Sequence, residues 1–264
     1  MKSVLITGAS GHLGSVMRQR LAAYFDEVRI SDIQPITGLA EHEAFYQMDL
    51  SDFESVKVAM DGVEAVVHFG GVSIEGRFDA ILNANIHGAY NVYEAARQLG
   101  SIRVIFASSN HTVGFYQRSQ MLDSQMPFRP DSLYGVSKCF GENLAQYYYD
   151  KFGVESGLLR IGSCTPEPED YRMLATWLSY GDLESLIMTC INAPKLKCTP
   201  VFATSNNDHR WWDNKHAAFL GWAPKDNSAD YLHLAKVSPD RVDRNDPSVQ
   251  FQGGLFATAG HFED

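Results

Sequence analysis

The sequence predicts an α/β fold, a doubly wound parallel sheet with a small C-terminal portion, and three observations carry that expectation. The apolar run Ser3–Ile6 opens directly into a glycine turn, Thr7-Gly8-Ala9-Ser10-Gly11-His12-Leu13-Gly14. Short apolar runs then alternate with segments of helical period as far as residue 161, and the alternation stops at Gly162. Strand-helix alternation is how a chain builds parallel neighbours, because each parallel pairing needs a crossover. With 264 residues and 45% hydrophobic content, the chain is long enough for one large, well-buried core.

The first strand feeds a turn of Gly-x-x-Gly-x-x-Gly spacing and then a helix. Gly8 turns the chain, Gly11 keeps a Cβ away from a bound group, and Gly14 lets helix and sheet approach. The unpaired N–H groups of such a first turn lie at the positive end of the helix dipole and suit a pyrophosphate. Gly8, Gly11, His12, Leu13 and Gly14 are therefore candidate dinucleotide contacts, although the spacing departs from the usual Gly-x-Gly-x-x-Gly. Val28–Ser31 reads as a second strand with Asp32 at its tip, 18 residues past Gly14. A carboxylate there accepts from a ribose 2′-OH and repels a 2′-phosphate, which favours NAD over NADP and identifies the sheet as a Rossmann fold. Arg29 lies inside the strand and is not counted as a phosphate ligand.

Ala44–Gln47 reads as a third strand. Asp49 and Leu50 follow it at the adenine end of a dinucleotide, where capping the next helix is an equally good use for Ser51 or Asp52. Ala65–Phe69 is continuously apolar, as in a strand covered on both faces. Gly70 and Gly71 beyond it permit close backbone approach by a cofactor, and Ser73 faces the crevice outside the strand ends. Asp79–Leu99 has helical period with Ile86, Tyr90, Tyr93 and Arg97 along one stripe, and Gly100 ends it. Arg103–Ala107 is the next strand, ending in Ser108, Ser109, Asn110 and His111. A long polar loop to Pro130 precedes a helix from about Ser132 to Phe152 with an apolar stripe of Val136, Phe140, Leu144 and Tyr147. Ser156–Ile161 is a further strand. Beyond it Pro166 and Pro168 mark a loop, Tyr171–Met188 a helix and Thr199–Ala203 a short strand, while Pro224, Pro239 and Pro247 divide the remainder. The expected division is 1–161 for the NAD-binding domain and 162–264 for a small substrate-binding and C-terminal region of the same compact unit.

The helix after the long loop carries Tyr134 and Lys138 one turn apart, on the same face. An isolated phenol is protonated in the cell, with a reference pKa of ~10. A neighbouring ammonium favours the phenolate, which acts as general base toward an alcohol, and the same lysine can hold a nicotinamide ribose. Ser109, at a strand end, is placed to orient the substrate oxygen.

The formal charge of −10 argues against nucleic acid and anionic membranes, and an acidic substrate would need a local cation. Arg172 is that candidate, since its guanidinium can bond both oxygens of a carboxylate. Asn110 and His111, beside Ser109, are candidates to bond substrate hydroxyls. Cys139, Cys164, Cys190 and Cys198 lack C-x-x-C spacing and read as reduced thiols. The nine histidines form no metal motif, so no metal is expected. No segment is long enough to span a membrane and no export signal is evident, so the expected location is cytoplasmic. Exposed apolar stripes on the two central helices predict a homo-oligomer.

The glycine turn, Ser109 and the Tyr134/Lys138 pair, with Asn85–Ala96 and Phe219–Pro224, resemble an extended short-chain dehydrogenase/reductase. Phe106–Thr112, Tyr134–Asn143, Arg160–Pro168, Trp211–Asn214 and Phe251–Gly254 more narrowly resemble the uronate dehydrogenases, an oxidoreductase family of hexuronic acid metabolism. That resemblance implies NAD-dependent oxidation of D-galacturonate or D-glucuronate at C1 to an aldarolactone. It implies Tyr134 as base, Lys138 and Ile161 near the cofactor, and Ser73, Ser109, Asn110, His111, Ser163 and Arg172 at the sugar. Ser109 and Asn110 are expected to hold the reacting oxygen. The rival reading is a nucleotide-sugar epimerase or dehydratase of the same superfamily, against which stands the short region after Ile161. Trp211 and Trp212 read as packing, and Gly253-Gly254 as a tail without derivable chemistry.

Overall fold

A computed structural model of the chain describes residues 2–238, 243 and 245–262. In chain order the elements are β1 Ser3–Thr7, α1 His12–Leu21, β2 Glu27–Asp32, β3 Glu43–Gln47, α2 Phe53–Met60 and β4 Ala65–His68. There follow α3 Phe78–Ile81, a π turn Leu82–His87, α4 Gly88–Gln98, β5 Arg103–Ser109, β6 Leu122–Asp123, α5 Leu133–Phe152 and β7 Ser156–Ile161. The last third holds β8 Ser163–Cys164, α6 Met173–Thr176, β9 Trp177–Leu178, α7 Tyr180–Asn192, β10 Cys198–Ala203, β11 Trp212–Asp213 and α8 Pro247–Gln250.

Seven strands form one parallel sheet in the order β10-β7-β5-β4-β1-β2-β3. Strand alternation supplies two cores. Val4, Ile6, Val28, Ile30 and Val201 meet Met17 and Leu21 of α1 and Leu183 and Ile187 of α7 on one face. Leu5, Val66, Val104 and Leu158 meet Val56, Val92, Tyr93 and Ala145 on the other. Burial on both faces explains the apolar runs of β1, β4 and β5.

The α5 helix is delimited by its own residues. Ser132 accepts from the Gly135 N–H at its start, and Gly153, at φ 72, takes the left-handed conformation that ends it. Elsewhere the structure corrects the sequence reading. The residues Ile86, Tyr90, Tyr93 and Arg97, read as one stripe, do not share one environment, because Tyr90 is 48% exposed whereas Tyr93 is fully buried. The π turn inserts a wider turn ahead of α4, so the inward positions become Asn85, Gly88, Ala89, Val92, Tyr93 and Ala96. The helix expected over Tyr171–Met188 is broken. Trp177 and Leu178 pair in parallel with Ser163 and Cys164, and Ser179 starts α7 by accepting from Asp182 N. The loop before Pro130 carries β6, which pairs with β11. The strand read at 199–203 is β10, the edge of the main sheet beside β7. Pro239 lies outside the described residues. No helix among the described residues is long and apolar enough to cross a membrane.

Candidate active site

From β1 the chain builds outward through β2 and β3, then returns to β1's other side with β4. The carboxyl ends of β1 and β4 therefore part, and a crevice forms at this reversal. A cavity of about 690 Å³ opens there. Seventeen of the twenty candidate residues line it: Gly8, Gly11, His12, Leu13, Gly14, Asp32, Asp49, Leu50, Phe69, Gly70, Gly71, Ser73, Ser109, His111, Tyr134, Lys138 and Ile161.

At one end the cavity is bounded by the start of α1. Gly8 turns at φ +68, and a Cβ there would lie 2.7 Å from Gly70 N, so the β1 and β4 loops touch through bare backbone. A Cβ at Gly14 would fall 2.1 Å from Gly8 O, which no other residue survives. No side chain caps α1, so its first-turn donors are left without a side-chain partner at the cavity wall. Asp32 fixes the rim by accepting from Ser10 N (3.0 Å) and Gln34 N (3.0 Å). Ser31 Oγ is buried in the same wall with no protein partner. Bare N–H donors, an orphaned hydroxyl and a carboxylate at the strand tip fit a dinucleotide. Asp49 accepts from Ser51 N and Oγ at the rim, while the α2 cap is supplied by Asp52.

At the other end stand Ser109, His111, Tyr134 and Lys138. Burial pushes the Tyr134 phenol up to about 12, opposed by a hydrogen bond from Ser109, and pushes Lys138 down to about 8. Lys138 Nζ lies 5.1 Å from the Phe106 ring centre and 5.5 Å from that of Tyr134. Lys138, expected to favour the Tyr134 phenolate, sits with its ammonium against these ring faces, and burial is the largest influence on both groups.

The remaining three candidates, Asn110, Ser163 and Arg172, lie outside the cavity lining in a polar cluster of their own. Arg172 Nε donates to Gln252 O (2.8 Å) and Nη1 to Ser163 Oγ (3.2 Å). In the amide orientation that satisfies both ends, Asn110 accepts from Arg172 Nη2 (2.7 Å) and donates to Ile161 O (3.2 Å). Asn110, expected to hold the reacting oxygen, thus has its amide engaged by the guanidinium and by Ile161 O and is not among the residues that line the cavity. Burial pushes Arg172 down to about 10, and no carboxylate among the described residues lies within ion-pair distance of it.

Several supporting residues escaped the sequence reading. Asn85, in the π turn, bonds Val72 N and O and Ser137 Oγ, and Ser137 in turn donates to Tyr134 O. Glu75 accepts from Tyr134 N. Together they tie the Gly70–Ser73 loop to the start of α5. Gln252, fully buried, receives Trp212 Nε1 and donates to the Gln117 and Gln120 carbonyls. The Gly253-Gly254 tail thereby returns to the site, where Phe256 lines the cavity. Trp212 stacks on Phe202 in packing, as expected. The four cysteines are free thiols, and burial pushes each up to about 12. No three His, Cys, Asp or Glu side chains among the described residues are grouped to hold a metal.

A dinucleotide crevice joined to a Tyr/Lys/Ser end defines a class, and comparison agrees: the chain belongs to the NAD dependent epimerase/dehydratase family, whose profile matches residues 4–179. Within it the chain groups with the uronate dehydrogenases. It is 51% identical over 257 residues to uronate dehydrogenase of Agrobacterium fabrum, covering 97% of each chain. It superposes on glucuronic acid dehydrogenase from Chromohalobacter salexigens with a TM-score of 0.97, at 48% identity, over 100% of this chain and 99% of that one. A mutant uronate dehydrogenase from Agrobacterium tumefaciens complexed with NAD superposes at 0.96, with 50% identity over 99% of each chain.

Proposed function

We propose that this chain is an NAD-dependent dehydrogenase that oxidises C1 of a hexuronic acid, D-galacturonate or D-glucuronate, to the aldarolactone. One observation carries the choice of an acidic sugar: Arg172 is a partly buried guanidinium held by neutral acceptors, beside the end of the cavity where Tyr134 and Ser109 stand. A buried cation without an ion-pair partner favours an anionic ligand. The uronate dehydrogenases found in the comparison support the same reading.

Bound NAD supplies the hydride acceptor and, oxidised, a positive charge. The start of α1 and Asp32 would hold its phosphates and ribose, and Asp49, Leu50, Phe69, Gly70, Gly71 and Ile161, which line the same cavity, would contact the rest. Tyr134 takes the proton of the C1 hydroxyl as C1–H gives up its electron pair, and C1–O becomes a carbonyl. In a cyclic hemiacetal that product is a lactone. Ser109 orients the reacting oxygen, Ser73, His111 and Ser163 bond the sugar, and Arg172 fixes its carboxylate so that C1 meets the cofactor at reacting distance. Residues 1–161 carry the cofactor, and residues 162–264 contribute the carboxylate end.

The test mixes purified protein and NAD⁺ with a panel of uronic acids and neutral sugars and follows reduced-cofactor absorbance. Net reduction with uronates is expected. Copurifying NAD with no net reduction would overturn the reading in favour of an epimerase. The half-exposed Val136, Tyr147 and Tyr90 on α5 and α4 support self-association, which light scattering checks, and the chain is assigned to the cytoplasm.

A further inference from the structure

His111 is clamped on several sides. Its Nδ1 meets both oxygens of Asp131, at 3.0 and 2.8 Å, and the Asp131 side chain is wholly buried. Ser132 Oγ donates to Asp131 Oδ1 (3.0 Å) and caps α5, so the carboxylate is fixed to the helix that carries Tyr134. Space for Asp131 exists only because residues 114 and 253 are glycines, where a Cβ would fall 1.8 and 1.7 Å from its Oδ2. Phe256 stacks on the imidazole at 4.0 Å between ring centres, and Tyr134 stands edge-on at 5.8 Å. The ring lines the cavity, and Nε2 has no hydrogen-bond partner among the described residues.

A carboxylate can only accept, so Nδ1 must carry the proton, and in the neutral ring Nε2 is then a bare acceptor. We propose that Asp131 is a positioning residue that fixes this tautomer, so that His111 Nε2 accepts a hydrogen bond from a sugar hydroxyl other than the one at C1. The inference rests on the hexuronate reading above and deepens it. A site built to accept from one hydroxyl discriminates against a sugar that lacks it, because the acceptor is left unpaired.

The test compares the native chain with Asp131→Asn, which keeps the shape. Ser132 still donates to the amide oxygen, so the amide N–H turns toward His111 Nδ1 and the tautomer inverts, as happens when a histidine loses its carboxylate partner. Histidine ¹⁵N spectra, assigned by loss of the signal in His111→Gln, should show Nδ1–H in the native protein and Nε2–H in Asp131→Asn. With NAD⁺, the variant should raise KM for the uronate about tenfold with kcat unchanged. One among the 2-, 3- and 4-deoxy uronates should show the same KM in both proteins. A native ring protonated at Nε2 or at both nitrogens overturns the proposal, and this reading does not depend on Asp131→Asn folding. An equal KM rise for every deoxy sugar also overturns it, marking Asp131 as merely structural. If the native protein oxidises no uronate, the hexuronate reading fails, while the spectra still decide the tautomer.

Discussion

Replacing Arg172 by methionine separates the carboxylate role of the guanidinium from its part in the scaffold. Arginine offers five N–H donors. Three are engaged, by the Gln252 carbonyl, Ser163 Oγ and Asn110 Oδ1, which leaves one on each Nη. Two parallel donors match the two oxygens of a carboxylate. Charge-assisted bonds contribute roughly 1.5–3 kcal/mol each, so two at the low end amount to about 3 kcal/mol, a factor of about a hundred. Methionine also strands three acceptors and loosens the seat of Gln252, which lowers stability and activity on every substrate. The ratio of kcat/KM for D-galacturonate to that for D-galactose cancels this shared loss. It should fall about a hundredfold, measured by reduced-cofactor absorbance at enzyme concentrations that reveal slow turnover of the neutral sugar. An unchanged ratio, with both substrates slowed alike, would show that Arg172 only braces the tail.

Tyr134→Phe should abolish turnover and leave NAD⁺ affinity nearly intact by calorimetry, whereas retained activity would remove Tyr134 from the base role. Phenolate absorbance, native minus Tyr134→Phe, should titrate near 12 for the protein alone and at lower pH with NAD⁺ added, since a nearby positive charge favours the phenolate; an unmoved midpoint would contradict this. Asp32→Asn should raise the NADP⁺ to NAD⁺ ratio of kcat/KM about tenfold or more by removing a charge that faces the 2′-phosphate. His68, bonded to Thr7 beneath the glycine loops, is held by burial and Lys138 down to about 3. The unfolded chain therefore binds a proton below ~6.5 that the folded chain refuses, so stability falls as pH falls, by ~1.4 kcal/mol per unit. His68→Gln should remove about 2 kcal/mol of the native loss between pH 6.5 and 5 in urea titrations, and an identical slope in both proteins would exclude His68 as the source.

How far the site is legible in the sequence depends on how local its causes are. β1, β4 and β5 announce themselves because strands covered on both faces carry runs of apolar residues, whereas β7 admits Arg160 only because buried Glu142 pairs with it. The glycine turn is legible because Gly14 touches Gly8 only six residues away. Tyr134 and Lys138 are legible because one helical turn aligns them. By contrast, the π turn depends on Asn85 reaching Val72 and Ser137, 13 and 52 residues distant, and no periodicity in Asp79–Leu99 encodes those bonds. The break at Trp177 depends on pairing with β8. The tail was opaque for the same reason: Gln252 is explained by carbonyls 132 and 135 residues away. The contact of Asn110 with Arg172, 62 residues further on, is likewise opaque, since nothing local to the strand end encodes that partner.

The two displaced groups explain why binding and chemistry belong together here. Tyr134 is buried where its ionised form is disfavoured, and Lys138, on the face of the ring, does not reverse that. Arg172 is partly buried where its own charge is disfavoured, and its three protein partners are neutral. Each would be relieved by a ligand of opposite sign: a cation beside the phenol, an anion beside the guanidinium. An oxidised nicotinamide and a sugar carboxylate carry those signs. On the proposed reading, desolvation cost is stored at two points of one site, and a neutral sugar would leave the one at Arg172 unrelieved.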